Sequence, residues 1–276
     1  MPEGDTIYRA ATALHRALAG RVVTGFDTAY AHLARVHDGA PIVGRTIEGC
    51  ESIGKHLLIR FSGDLSLRTH MRMSGSWHLY RPGEPWQRST RAMRIRLDTD
   101  AWVAVAFDVP VAEFLSARDL PRSRILRSLG PDLLSAAFDR TTALARLAAA
   151  GNRPMGEVLL DQRVVAGIGN VFRNEVLFLC GLHPDVLASA LPPGAFAAIL
   201  DTAIPLMRAN TGSGAGAGIH TYHGLRRTRR QASGEESLWV YGRAGKPCRR
   251  CGTPIVSATR GIEARVTYWC ERCQRI

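Results

Sequence analysis

LLDQRVVAGIGNVFRNE, residues 159–175, places two apolar segments on either side of a Gly-Ile-Gly turn. In both segments the apolar residues recur at the three- and four-residue spacing of a helix face. They are Leu159, Leu160, Val164 and Val165 before the turn, and Val171, Val176, Leu177 and Leu179 after it. The linker of residues 167–169 is too short for anything but a turn. The stretch therefore predicts two helices, residues 155–167 and a segment from residue 170, packed close together.

Outward from this stretch the chain changes character. Residues 141–151 and 194–210 also read as helices, whereas the part between Arg21 and Asp108 consists of short strand-like runs divided by Gly, Pro and Asp. A leading helix is predicted at residues 5–19 with Asp5 as its N-cap, and LWVYG (238–242) is predicted to be a strand. The fold class is α+β, with three predicted domains. These are an N-terminal antiparallel β-sandwich with a leading helix (1–120), a helical domain (121–237) and a C-terminal module (238–276).

Charge narrows the range of partners. The 276 residues carry a formal net charge of +12, which favours a polyanion: nucleic acid first, an anionic membrane surface second. No run approaches the about 18 uninterrupted apolar residues that span a bilayer, and the acidic N-terminus is not a signal peptide. We therefore expect a cytoplasmic protein with reduced cysteines and no membrane partner. Among 36 basic residues only Lys55 and Lys246 are lysines.

Two cysteine pairs indicate a metal site. Cys248-x-x-Cys251 and Cys270-x-x-Cys273 are separated by 18 residues, a pattern typical of two knuckles around one structural Zn²⁺. Four thiolates leave no open position for catalysis. From Tyr222 to Ile276 there are 12 Lys/Arg against 4 Asp/Glu, so a metal-pinned hairpin that contacts phosphates is predicted. The alternative is a solvated basic tail beside unrelated cysteines.

The N-terminus itself suggests chemistry. Removal of Met1 would expose the secondary amine of Pro2, and an α-amino group has a pKa of only about 7.7–8.0. Such an amine can attack a sugar C1′ and form an iminium ion, which promotes elimination of the 3′ phosphate. Glu3 could move protons beside it. The alternative is structural, since Glu3 and Asp5 also suit the start of a helix electrostatically.

Taken with the cysteine knuckles, the opening Pro2-Glu3 resembles the formamidopyrimidine-DNA glycosylase/endonuclease VIII family of DNA repair enzymes. The resemblance runs along nearly the whole chain. SIGKHLLIRF (52–61) matches the family's Gly-Lys loop at Lys55, LLDQRVVAGIGNVFRNE matches its helix–two-turn–helix motif, and Arg265 stands five residues before the third cysteine. The resemblance implies a bifunctional DNA glycosylase and abasic-site lyase, with a Schiff base on Pro2, β,δ-elimination, and damaged DNA as partner.

The resemblance also implies roles for single residues. Lys55 would act as a proton donor, and Asn170, with the free N–H groups of its helix, would hold a phosphate. Glu175 would help to position the terminal proline, and Arg265 would grip the phosphate flanking the extruded nucleotide. Without the resemblance, Asn170 reads as an N-cap, Glu175 as a surface glutamate and Arg265 as one more basic residue.

An enzyme that extrudes a base must fill the hole it leaves. HMRMSG (70–75) is the predicted plug, with Met73 as the apolar wedge and Arg72 touching the orphaned base or a phosphate. The alternative for Met73 is packing within a sheet. Arg127, in the basic junction 119–134, is a further predicted DNA contact.

The opening PEGDT resembles the second-paralogue branch of bacterial endonuclease VIII, and FDVPVAEF (107–114) lacks the Arg-x-Phe-Gly wedge of 8-oxoguanine enzymes. The expected substrates are therefore oxidised pyrimidines such as thymine glycol and 5-hydroxyuracil, or abasic sites and single strands. Arg72 stands where endonuclease VIII usually has glutamine, and the glycine-rich stretch Thr211–Gly224 fits neither pattern. The alternatives are an 8-oxoguanine/formamidopyrimidine-type glycosylase, a non-catalytic zinc-ribbon DNA-binding protein and a proline-based tautomerase. A monomer is expected.

Overall fold

The computed structural model describes residues 2–212, 218–222, 237–261 and 263–275. The chain forms two compact units, Met1–Ser128 and Leu129–Ile276. The predicted three-domain division remains a prediction. Most of the stretch Thr211–Ser237, including His223, lies outside the described residues, and so does its predicted role.

The first unit is a sandwich of two antiparallel four-stranded sheets, as predicted. One sheet has the strand order β2-β3-β4-β8 and the other β1-β6-β7-β5. The strands are β1 Gly25–Thr28, β2 Ile47–Ile53, β3 His56–Phe61, β4 Leu65–His70, β5 Ser76–Tyr80, β6 Met93–Asp98, β7 Val103–Phe107 and β8 Val111–Ser116; the helices are α1 Gly4–Leu18, α2 Ala31–Gly39 and α3 Arg124–Ser128. Helix α2 and strands β1 and β8 were not predicted individually.

The alternation of buried and partly exposed residues along the strands explains how the two sheets pack together. In β6, Ile95 and Leu97 are fully buried in the central core, while Arg94 and Arg96, which alternate with them, are partly exposed. Leu57, Ile59 and Leu67 from the other sheet enter the same core, together with Ile7, Leu14 and Leu18 of α1. Since side chains alternate between the faces of a strand, each sheet presents one apolar face to the other.

Helix α1 runs antiparallel to β2. The N–H of Gly20, just after the helix, donates to the carbonyl of Ile47 at 2.8 Å, and the N–H of Cys50 donates to His15 Nδ1 at 3.2 Å. The start of α1 therefore lies at the end of the sheet where β2 turns into β3. The predicted N-cap was wrong, because Glu3 occupies the N-cap position and Asp5 lies within the first turn.

In its described residues, the second unit combines four α-helices with a two-stranded antiparallel hairpin. The helices are α4 Arg140–Ala148, α5 Met155–Val158, α6 Asn170–Leu179 and α7 Ala195–Ala209, and the strands are β9 Val256–Arg260 and β10 Arg265–Trp269. Helix α6 is buried along nearly its whole length, with Phe172 and Val176 fully inside the helical core. The predicted α+β class, with sandwich, helices and C-terminal hairpin, is confirmed.

The helix predicted over residues 155–167 is wrong in length, because α5 ends at Val158. The side chain of Gln162 explains the turns that follow: its Nε2 donates to the carbonyls of Leu160 at 2.8 Å and Ile168 at 2.9 Å, and its Oε1 accepts from the Gly167 N–H at 3.0 Å. These bonds satisfy backbone groups that a longer helix would have paired internally.

The strand predicted at LWVYG (238–242) is also wrong. The backbone N–H groups of Trp239, Val240 and Tyr241 all donate to the carboxylate of Glu175, so they are not available to a strand ladder. Among the described residues, no helix has the length and apolar character needed to cross a bilayer.

Candidate functional site

The beginning of the chain places Pro2, whose nitrogen would become an amine on removal of Met1, beside buried carboxylates. Pro2 is partly exposed, whereas Glu3 and Asp5 are 0% exposed. The Glu3 carbonyl accepts the first bond of α1, from the Ile7 N–H at 3.0 Å. Burial raises the pKa of the Asp5 carboxyl, which lies 3.8 Å from Arg9. With Met1 removed, an α-amine beside enclosed carboxylates would be suited to nucleophilic attack and proton transfer.

Lys55 lies at the same end of the first unit as Pro2. It follows Gly54, whose φ of +58° makes the tight turn between β2 and β3. The antiparallel course of α1 and β2 brings the start of the helix to this end of the sheet. The α1–β2 contacts thus direct two predicted catalytic regions, which are about 50 residues apart in the sequence, toward the same end of the sandwich.

The predicted plug projects from this end too. His56, directly after Lys55, is paired in register with His70, the last residue of β4. Arg72 and Met73 follow at once, and Met73 is 59% exposed. Such exposure excludes the alternative that Met73 packs within the sheet, and it leaves an apolar tip on the surface beside the lysine turn.

Behind this end lies a buried polar group that the sequence analysis missed. Arg68 is 1% exposed, and its guanidinium donates from Nε to Glu113 Oε1 at 2.7 Å and from Nη1 to His56 Nδ1 at 2.9 Å. Burial, reinforced by nearby cations such as Lys55 and Arg68, lowers the pKa of His56 to about 3 and that of His70 to about 4. The sequence signal was a histidine flanking each functional segment, after Lys55 and before Met71.

Arg127 also belongs to the first unit. It lies on the short helix α3 and its side chain is exposed, with Arg124 exposed one turn before it. An exposed arginine pair of this kind is able to contact phosphates without rearrangement of the core.

The second unit holds Asn170 at the first position of α6, as predicted. Its side chain is turned toward the hairpin, since Nδ2 donates to the Val266 carbonyl at 3.0 Å. Its Oδ1 is buried and has no hydrogen-bond partner among the described residues. The helix starts with Gly169 in an extended conformation and without a side-chain cap, a geometry that suits an anion at a helix N-terminus.

Glu175 is fully buried rather than a surface residue. Its Oε1 accepts from the N–H groups of Val240 and Tyr241, both at 2.9 Å, and its Oε2 accepts from the Trp239 N–H at 2.7 Å and from the Thr221 hydroxyl. This carboxylate therefore fixes the chain that enters the C-terminal module. Its predicted help in positioning Pro2 remains a prediction.

Arg265 begins β10 and pairs with Glu263 at 3.2 Å between Nε and Oε2. It borders a cavity of about 410 Å³ between the α5–α6 region and the hairpin. Charged side chains dominate the lining: Arg153, Glu157, Asp161, Arg163, Arg173, Arg260, Glu263 and Arg265. Five arginines around one cleft make it a candidate phosphate-binding surface.

The four predicted zinc ligands converge. The sulfur atoms of Cys248, Cys251, Cys270 and Cys273 all lie within 4.8 Å of one another. Cys248 and Cys273 are 3.9 Å apart and Cys251 and Cys270 are 3.5 Å apart between Sγ atoms. A tetrahedral ion with Zn–S bonds of about 2.3 Å requires sulfurs about 3.8 Å apart. The cluster fits one structural Zn²⁺, and β9 and β10 form the hairpin between its two knuckles.

Comparison with known proteins supports this assembly. The chain matches three descriptions in order: "Formamidopyrimidine-DNA glycosylase N-terminal domain" over residues 1–110, "Formamidopyrimidine-DNA glycosylase H2TH domain" over 129–221, and "Zinc finger found in FPG and IleRS" over 245–276. The first two alone cover most of the chain. The chain therefore belongs to the formamidopyrimidine-DNA glycosylase/endonuclease VIII family of DNA repair enzymes.

Individual relatives refine the assignment. The chain is 40% identical to "Probable endonuclease 8 2" of Streptomyces coelicolor, over 99% of this chain and 94% of the relative. It is 37% identical to "DNA-(apurinic or apyrimidinic site) lyase Nei2" of Mycolicibacterium smegmatis, over 99% of each. The predicted family, its second-paralogue branch of endonuclease VIII and the enzyme class, DNA glycosylase and abasic-site lyase, are confirmed.

Among solved structures, the chain is similar to the Lactococcus lactis formamidopyrimidine-DNA glycosylase crystallised with DNA that contains an abasic site. The TM-score is 0.81 at 22% sequence identity, and both chains are covered completely. At this identity the similarity establishes the fold.

We expect Cys248→Ser to release zinc and weaken DNA binding while the sandwich stays folded, because the metal supplies much of the folding free energy of so small a hairpin. Metal analysis, DNA binding and hydrogen exchange of β3–β4 against β9–β10 would measure the three effects. Cys180→Ser, a thiol outside the cluster, is the matched control. A metal-free variant that binds DNA normally would contradict the hairpin's role.

We expect Glu175→Gln to destabilise the second unit by about 2–4 kcal/mol, because an amide NH₂ would then face backbone N–H groups that now donate to the carboxylate. Hydrogen exchange at Trp239, Val240 and Tyr241 should accelerate more than elsewhere. Glu271→Gln, at an exposed site, controls for the loss of charge. Unchanged protection of these three amides in Glu175→Gln would refute the assignment.

Proposed function

We propose that this protein is a bifunctional DNA glycosylase and abasic-site lyase that removes oxidised pyrimidines from DNA, with Pro2 as the nucleophile. The proposal is supported by the arrangement of the first unit: Lys55 in the β2–β3 turn and Met73 just after β4 lie at the end of the sheet toward which the start of α1, with Pro2 and Glu3, is directed. The cytoplasm of a bacterium is the proposed location, a monomer the proposed state, and damaged DNA the partner.

The proposed reaction begins after Met1 has been removed. The Pro2 nitrogen attacks C1′ of the damaged nucleotide, the glycosidic bond breaks, and the base leaves with a proton. The sugar ring opens and an iminium ion joins C1′ to the proline nitrogen. The iminium acidifies the C2′ proton, whose loss expels the 3′ phosphate; a second elimination expels the 5′ phosphate. Hydrolysis of the imine then restores the amine.

Glu3 and Lys55 are the proposed proton carriers. Glu3 is enclosed next to the nucleophile, so it can protonate the opening sugar without competition from bulk water. Lys55 stands at the β2–β3 turn and can deliver a proton during loss of the base. An arginine could not do so, because its pKa lies far above the working range.

DNA contacts are proposed for both units. In the first, Met73 and Arg72 would enter the space left by the extruded base, and Arg127 would contact the backbone. In the second, Asn170 with the open N-terminus of α6, and Arg265 at the arginine-lined cavity, would hold phosphates. Glu175 would act indirectly, by keeping the zinc hairpin and hence Arg265 in place. The net charge of +12 supports a polyanionic substrate throughout.

Oxidised pyrimidines are the proposed substrates because the segment 107–114 lacks the Arg-x-Phe-Gly wedge. Part of this segment lies within the sheet, because Val111–Ser116 is strand β8, which pairs with β4 along its length. The tip that follows β4 is then the proposed wedge.

Borohydride trapping is the first experiment. A duplex with 5-hydroxyuracil and a duplex with an abasic site should both yield a covalent complex, which Pro2→Gly abolishes because a primary glycine amine cannot replace the proline in geometry and basicity. Intact mass of the same preparation verifies the loss of Met1. A tetrahydrofuran duplex, which has no reactive C1′, is the negative control.

Trapping on the abasic duplex alone would support Pro2 as the lyase nucleophile but would mean that 5-hydroxyuracil is not a substrate. Absence of trapping on both, with Met1 removed and zinc bound, would favour a non-catalytic DNA-binding protein.

Lys55→Ala and Lys55→Arg should both slow base excision by about 100-fold or more and affect cleavage of a preformed abasic site much less. The reason is that protonation of the leaving base matters only in the first step. Single-turnover rates on the two substrates measure the effect. Lys246→Ala, at the only other lysine of the chain, is the control. Normal excision by Lys55→Arg would mean that the lysine serves as a phosphate contact.

A further inference from the structure

The predicted plug (residues 70–75) forms a closed turn that is anchored in the sandwich core at Met71. The Gly75 N–H donates to the Met71 carbonyl at 2.9 Å, and a Cβ on Gly75 would lie only 2.6 Å from that oxygen. Met71 is buried in the sandwich core, so the turn grows from an immobile residue and carries Met73 at its exposed tip. Arg72 has a φ of +47°, a left-handed conformation that costs free energy for a residue with a side chain.

His70 compensates for this strain. Its Nδ1 accepts a hydrogen bond from the backbone N–H of Arg72 at 3.1 Å. Since a backbone N–H can only donate, Nδ1 must carry its lone pair, and the proton of the neutral ring lies on Nε2. The left-handed turn and the tautomer of His70 therefore depend on each other.

A second imidazole supports the first. His56 lies directly opposite His70 across the β3–β4 pair, and the two rings meet edge to face with centroids 4.7 Å apart. Its Nδ1 receives the Arg68 Nη1 at 2.9 Å, and Arg68 Nε is bound to Glu113 at 2.7 Å. A guanidinium only donates, so His56 is also neutral and holds its proton on Nε2. The lowered pKa of both histidines agrees with this protonation.

The other side of the turn is braced as well. Arg88 Nη1 contacts the Ser74 carbonyl at 3.4 Å and Ser76 Oγ at 3.2 Å, while Arg88 Nη2 is bound to Asp108 at 2.7 Å. The backbone of the plug is thus held at Arg72 and at Ser74, and its side-chain tip is exposed. A segment built in this way is suited to enter a base stack without first being ordered.

We propose that His70 is a positioning residue, which holds the plug in its inserting conformation through Nδ1 and is itself seated on the His56–Arg68–Glu113 chain. The proposal rests on the proposed function, because the plug acts when a base is extruded from a duplex. The chain of contacts also links the plug to Lys55, which precedes His56 directly. One buried network therefore borders both the predicted wedge and the turn that carries Lys55.

A matched pair of substitutions separates this role from a direct contact of the outer ring nitrogen with DNA. The side-chain oxygen of asparagine reaches the place of Nδ1, whereas the amide nitrogen of glutamine reaches the place of Nε2. His70→Asn keeps the acceptor for the Arg72 N–H, and His70→Gln keeps only the outer donor. His32→Gln, at an exposed histidine, is the control.

The first readout needs no activity. Hydrogen exchange of the Arg72 amide in DNA-free protein should be slow in the wild type and in His70→Asn, and faster by about tenfold or more in His70→Gln. The ¹⁵N shifts of His70 should show a protonated Nε2 and an unprotonated Nδ1. A protonated Nδ1, or equal protection of Arg72 in both variants, would overturn the proposal.

The second readout is catalytic. His70→Gln should excise a base from duplex DNA about 10- to 100-fold more slowly, with His70→Asn close to wild type. Both should cleave a single-stranded abasic oligonucleotide normally, because there is no base stack to enter. Normal excision by His70→Gln with loss in His70→Asn would overturn the positioning role. If the wild type processed no substrate while Arg72 behaved as expected, the proposed function would fail and the structural role of His70 would stand.

Discussion

One buried carboxylate organises the second unit. Glu175 lies on α6 with no exposed surface, and four donors converge on it: three consecutive backbone N–H groups at 239–241 and the hydroxyl of Thr221. Removal of a carboxylate from water is costly unless its oxygens are satisfied. Here they are satisfied by the chain that leads into the zinc module. Because Glu175 is part of α6 and binds the backbone of residues 239–241, it ties α6 to the segment that leads to the first zinc knuckle at Cys248.

The first unit uses the same device with the opposite charge. Arg68 is buried in the sheet and joins Glu113 to His56, which touches His70. In each unit a buried ion supports an irregular segment. Arg68 supports the predicted plug indirectly, through His56 and His70. Glu175 accepts hydrogen bonds directly from the backbone of residues 239–241. Regular sheets and helices satisfy their own backbone, whereas functional segments need donors and acceptors from elsewhere.

The arginines of the second unit are restrained by acids of the same surface. Arg153 and Arg163 both pair with Asp161, whose pKa is lowered to about 2 chiefly by its bond to Arg163, and Arg265 pairs with Glu263. A phosphate that entered this cavity would replace a carboxylate as the anionic partner of an arginine. Binding of this kind is sensitive to salt and to the geometry of the phosphate, since the arginines are already oriented before the nucleic acid arrives.

Local patterns carried much of the information in the sequence. The alternating runs gave the sandwich, the paired Cys-x-x-Cys motifs the zinc site, and the ordered motifs around Pro2, Lys55, Asn170 and Arg265 the family. Each of these depends on residues close together in the chain, where periodicity and ligand spacing act directly. The failures were also local: α5 is shorter than its apolar pattern, and 238–242 is not a strand.

Only the tertiary structure decided what the buried ions do. Without the resemblance Glu175 read as a surface glutamate, and Arg68 was not singled out at all, because the groups that these two side chains bind are 12 to 66 positions away. The sequence by itself determined the chemistry available: an amine, a lysine, a wedge and four thiolates. The structure determined their placement, since the conformations of residues 72 and 239–241 follow from hydrogen bonds to distant side chains rather than from the preferences of the residues themselves.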